Sequence, residues 1–188
     1  MWKSACLAAI LSLAALPAYA ADTYKLEADH TYVMFRYSHF GLSHPTGKVM
    51  GAVGTLVLDS DDPSKSSVDV ILDMNTLTTG LVAFDGQMKG KDFFDTTQFP
   101  QAAFKSTSIQ PTGENTANVT GDLTLHGITK SVVLTVTFNK KAFNPAIFKT
   151  GVGFSATARI SRADFGVSKY EPFIEDGIDL LIEAEGYP

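Results

Sequence analysis

The stretch from Gly121 to Phe138 limits this chain more than any other. It holds two alternating runs joined by His126, Gly127, Ile128 and Thr129. Leu123, Leu125, Val132, Leu134, Val136 and Phe138 fall on one side, and Thr124, Lys130, Thr135 and Thr137 on the other. A period of two marks strands with one dry and one wet face. A glycine in so short a connection predicts a tight antiparallel hairpin. One hairpin cannot keep its dry face from water, so the rest of the chain must close the sheet on itself or pack a second layer against it.

The remaining sequence reads as more of the same sheet. A short extended segment, Tyr24 to Glu27, precedes Thr31 to Phe40, where Val33, Phe35, Tyr37 and His39 share a face. Lys48 to Asp59 is a long strand whose Gly51 and Gly54 predict a bulge or sharp bend. After a turn of Asp, Pro and Ser, Val68, Val70 and Leu72 alternate. From Thr76 to Asp95 the alternation stops. Leu81, Phe84 and Met88 approach helical spacing, which predicts a short helix or two across one end of the sheet. Ala102, Phe104, Ser106 and Ser108 form one face of the next strand, ahead of the hairpin. Lys140 to Thr150 reads as a loop, then Phe154, Ala156, Ala158 and Ile160 alternate. Ser161 to Asp176 is a second loop, and Ile178, Leu180, Ile182 and Ala184 alternate in the last strand. About eight strands with short turns and no repeats suit an all-β, up-and-down antiparallel barrel with a short helical insertion, a sandwich being the alternative. Such a barrel can be filled by side chains or can hold one ligand. Parity alone does not choose between them.

The first twenty residues read as an export leader. Lys3 precedes a nearly unbroken apolar run from Cys6 to Leu16, and Ala18-Tyr19-Ala20 fits a cleavage site before Ala21. The run is too short to span a bilayer comfortably. The single Cys lies within it, so the exported chain, residues 21–188, carries neither disulfide nor thiolate chemistry. With 15 basic against 20 acidic residues, the chain as a whole has no electrostatic footprint for nucleic acid or for an anionic membrane.

Reactive groups are sparse. His30, His39, His44 and His126 form no close ligand pair, so no metal site is expected. Neither a nucleophile elbow nor a phosphate-binding glycine loop occurs. His39, Asp85, Ser161 and Asp164 form only the sort of scattered set that any chain of this length offers. Arg162 and Asp164, beside Phe165 and Gly166, read as a turn held by a charged pair, or as polar residues at a barrel mouth. Phe93 and Phe94, set among Lys89, Lys91, Asp92 and Asp95, read either as a plug for the barrel end or as a gate for an apolar ligand.

Taken together these motifs resemble the YceI-like proteins. The matching pieces are Asp29-His30-Thr31 with Val33, Phe35, His39 and Gly41; Thr76 to Thr79 with Asp85; Lys91 to Asp95; Phe99-Pro100 with Phe104; Gly121 to Lys130 with Val132; and Arg162 with Asp164 to Gly166. The resemblance implies an eight-stranded, lipocalin-like antiparallel barrel, a periplasmic location and no catalytic residues or cofactor. It also implies a long apolar channel occupied by a polyisoprenoid or isoprenoid quinone. Dimers occur in that family, though no residue here argues for one. One departure stands out: family members carry an Arg before the insertion's Asp and a His and an Arg after it, where this chain has Phe84, Gln87 and Lys89.

Strand parity then nominates Phe35, Tyr37, Leu56, Val70, Phe104, Leu123, Leu125, Phe138 and Phe154 as channel lining. His39, Asp85, Phe93, Phe94 and Arg162 are nominated as polar or gating residues at its mouth. The expected function is a periplasmic binding or carrier protein for a long apolar isoprenoid, in transient contact with a membrane. The alternatives are a ligand-free structural or stress-response module with a solid core, and a lipid-modifying enzyme.

Overall fold

A computed structural model describes residues 21–188; the expected leader, residues 1–20, lies outside them. The strands are β1 (Asp22–Leu26), β2 (Tyr32–Arg36), β3 (Thr46–Val49), β4 (Val53–Leu58), β5 (Ser67–Asp73), β6 (Gln101–Gly113), β7 (Thr116–Leu125), β8 (Ile128–Asn144), β9 (Lys149–Ser161) and β10 (Gly177–Tyr187). One helix, α1 (Val82–Lys89), and three 3-10 turns complete the described secondary structure.

These ten strands make eight lanes of a closed antiparallel barrel. β1 and β2 are successive parts of one lane. Both lie against β10, β1 through Leu26↔Gly186 and β2 from Glu183↔Tyr32 to Asp179↔Arg36. Where the lane breaks between them, the Thr31 hydroxyl accepts from the Glu185 amide (3.2 Å) and donates to its carbonyl (3.3 Å), replacing lost ladder bonds. β3 and β4 form the adjoining lane, β3 on β2 and β4 on β1. Their crease falls at Gly51, whose φ of +72° suits glycine. The bend that the interior glycines predict is therefore present.

The β7–β8 hairpin turns on two residues, His126 (φ 51°) and Gly127 (φ 75°). Two positive φ values give the turn whose twist matches the flanking strands. The turn is tied to the rest of the fold by His126, whose Nδ1 lies 3.0 Å from the Phe165 carbonyl and whose ring meets Phe99 edge-on at 4.7 Å.

Three local expectations are corrected. Ser106 and Ser108 do not share a face, because the β6–β7 register shifts between them and Ile109 takes the inward phase. Lys140 to Thr150 is mostly strand: after a register shift beyond Phe138, pairing continues to Asn144↔Lys149, and only Pro145 to Phe148 lie between β8 and β9. Arg162 and Asp164 are not a pair, since the Arg162 side chain is buried and turns to main-chain carbonyls instead, while Asp164 is exposed.

The core is uneven along the barrel. One large buried cluster, including Tyr37, Leu77, Met88, Phe93 and Val167, fills the end crossed by α1. A smaller one around Tyr24, Leu56 and Val152 supports the wall near the other end.

Candidate ligand-binding channel

An internal cavity of about 530 Å³ runs from the filled end toward the opposite one. It begins against Met88, Phe93 and Val167, and its other end is rimmed by Asp59, Ser60, Pro63, Glu114 and Asn115. Its wall is apolar because every lane contributes alternate side chains. On β8 these are Val132, Leu134, Val136 and Phe138, which are only half-buried although they point inward. In a solid core they would be covered, since packed interiors leave few voids larger than a water molecule. Here they face open space.

The structure places all nine residues nominated as lining on this wall. Phe35 and Phe104 lie across glycines of neighbouring strands, Phe35 over Gly47 and Phe104 over Gly121, where a Cβ would meet the ring. Phe138 and Phe154 are opposite residues on β8 and β9, their rings 5.3 Å apart. Tyr37 is 7% exposed, and burial pushes its phenol pKa up, so it stays neutral.

The mouth candidates divide. Phe93, Phe94 and Arg162 line the filled end of the cavity. Phe93 is 5% exposed and packs near Tyr170, with ring centroids 6.1 Å apart. Arg162 is 7% exposed; it donates to the carbonyls of Val167, Lys169 (3.0 Å), Ile174 (2.9 Å) and Glu175 (3.1 Å). Its guanidinium thereby pins the 162–176 loop over the barrel end. His39 and Asp85 are not on the cavity wall. The His39 backbone pairs with Ser43 and its ring stacks edge-on against Phe40. Asp85 in α1 reaches back to accept from the Thr79 amide and hydroxyl (both 2.6 Å) and the Thr78 hydroxyl (2.8 Å). The Thr79 bonds, with Thr78 adding to them, hold its carboxyl below the usual aspartate range.

Parity reading missed the rim, where turn residues carry no periodic signal, and missed Ile109 and Pro111. An apolar Ile109 out of phase with Phe104 was the available sign of the bulge. Phe84, one of the departures in the insertion, packs on the filled-end cluster and touches the cavity. No group of three or more His, Cys, Asp or Glu is placed to hold a metal ion among the described residues. Chemically, the arrangement is an apolar sleeve, filled at one end and polar at the rim of the other.

A closed antiparallel barrel around an apolar channel defines the class of protein. The chain belongs to the YceI-like domain family, whose family model matches residues 24–186. It is 38% identical over 176 residues to a UPF0312 protein of Pseudomonas savastanoi pv. phaseolicola (strain 1448A / Race 6), covering 93% of this chain and 90% of that one. A UPF0312 protein of Pseudomonas putida (strain W619) matches to the same extent. Among solved structures, Burkholderia cenocepacia BcnA superposes with a TM-score of 0.74 at 24% identity, covering 82% of this chain and 95% of BcnA. A polyisoprenoid binding domain from Saccharophagus degradans superposes at 0.68 with 16% identity, covering 90% of this chain and 99% of that domain. At these identities the structural likeness shows a shared fold.

Proposed function

We propose that this protein binds one long apolar isoprenoid, a polyisoprenoid or isoprenoid quinone, inside the barrel and carries it through the periplasm without chemical change. The observation that carries the reading is the unfilled apolar cavity of about 530 Å³, within the usual range of roughly 300–1,000 Å³ for small-molecule sites. Each methylene buried there contributes about 0.8 kcal/mol at most. Ordering the chain offsets part of that. Several isoprene units therefore hold without a polar anchor, and the channel's length and shape set the choice of ligand. A binding domain in Saccharophagus degradans described as polyisoprenoid-binding shares the fold, which favours this ligand class. The leader-like first twenty residues support export, and a carrier of membrane lipid meets a membrane transiently to load.

The test is native mass spectrometry of protein purified gently from a bacterial periplasm, followed by solvent extraction. A discrete added mass that extracts as an isoprenoid is expected, and the same spectra read any dimer. A bare protein mass that persists after incubation with such lipids would refute the carrier and favour a ligand-free structural module. Phe104→Asp and Phe138→Asp, each placing a charge on the wall, should leave a folded barrel that loads at least about tenfold less lipid.

A further inference from the structure

We infer that the tip of the β8–β9 hairpin is a lipid-surface anchor that seats the open end of the channel against an anionic membrane. The inference rests on the carrier reading above. The Asn115 carbonyl accepts from the Phe138 amide (2.8 Å), so the β6–β7 turn, part of the channel rim, sits beside Phe138. β8 then continues to Asn144, roughly 20 Å beyond that contact at about 3.3 Å per residue. At its end Phe143 (58% exposed), Ile147 (49%) and Phe148 (81%) form an apolar tip, the two Phe rings 6.2 Å apart.

The charge around this tip selects the occupant. From Phe138 to Thr150 the chain carries Lys140, Lys141 and Lys149 and no acidic residue, in a protein of net charge −5. Lys141 also pairs with Asp22, and Lys149 donates to the Pro188 carbonyl, so both ammonium groups stay near the tip's base. Aromatic and aliphatic side chains ahead of a lysine collar match the layering of a bilayer interface with anionic head groups. Strand addition by a second copy is less well served. β7 begins at Thr116, opposite Thr137, so β8 beyond Phe138 lacks a β7 neighbour, and lysines on such an edge disfavour pairing. The filled end also exposes apolar residues, Phe40, Leu42 and Phe173. Carboxylates stand near both ends, Glu171 and Asp176 at this one and Asp59 and Glu114 on the channel rim, but only the β8–β9 tip carries its apolar residues on a segment with three lysines and no acidic residue.

Flotation with phosphatidylcholine vesicles, with and without phosphatidylglycerol, tests the anchor, and loading with a detergent-dispersed polyisoprenol is read in parallel. The natural chain should float with the anionic vesicles and lose this in high salt. Phe143→Ser with Phe148→Ser should lower the floated fraction about tenfold and leave loading unchanged, while Leu42→Ser with Phe173→Ser should float normally. Loading without flotation, or a tip variant that floats like the natural chain, overturns the anchor alone. A tip variant that instead converts a dimer to monomer would show the tip to be a contact between copies, which also overturns it. Flotation without loading would refute the carrier reading while leaving the anchor standing.

Discussion

At the scale of single residues, the channel depends on glycines as much as on aromatics. Phe104 can lie flat along the wall because Gly121 has no Cβ beneath its ring. Gly121→Ala should push the ring into the channel and destabilise the barrel by about 1–3 kcal/mol, the usual cost of overpacking; thermal unfolding measures it, and lipid loading should fall with it. Arg162 shows the opposite economy, one buried side chain serving four carbonyls. Lysine keeps the charge but has neither the planar fork nor its five donors. Arg162→Lys should therefore cost about 2–3 kcal/mol in urea unfolding, because buried acceptors lose their donors.

Among the elements, the filled end is assembled from segments with no strand periodicity and is fastened by carboxylates. Asp85 fastens α1 to Thr78 and Thr79, and Asp176 fastens Ser161 and Ala163. The Ala163 amide, with the Ser161 hydroxyl and Arg162, holds the Asp176 carboxyl below its ordinary value, as the Thr79 bonds do for Asp85. A depressed folded pKa means that the folded state takes up the proton less readily than the unfolded one. The stabilisation is complete above the unfolded aspartate pKa of about 4 and is lost as pH falls through the lower folded value. Urea midpoints should accordingly drop below about pH 4, and the drop should be shallower in Asp85→Asn with Asp176→Asn.

For the whole molecule, the half-buried inner wall makes stability depend on what the channel holds. Ligand bound only by the folded state adds about 2.7 kcal/mol at a hundredfold excess over Kd. For a domain of this size that is a Tm rise of about 5–10 °C. Delipidated protein should show this rise when an isoprenoid is returned, and Phe138→Asp should abolish it at unchanged apo Tm or at a lower one.

Which faces are dry is written in the order of the residues. Alternation from Tyr24 to Ala184 records the two faces of each strand, and Gly51 and the His126-Gly127 turn record where the backbone must bend, because these are constraints felt within a few residues. Placing Phe35, Phe138 and Phe154 on one inner wall required nothing more than parity and closure. Tertiary structure alone decided whether that interior is packed or open, since this depends on the spacing between opposite lanes and on how far the filled-end cluster reaches down the barrel. It decided that Arg162 turns to carbonyls and not to Asp164, because those acceptors converge only when the 162–176 loop folds over. It also decided the phase of β6 beyond Ser106 and the reach of β8 to Asn144: a single out-of-phase Ile109 does not fix where the register shifts, and an extended hairpin past the rim has no buried face to give it a period.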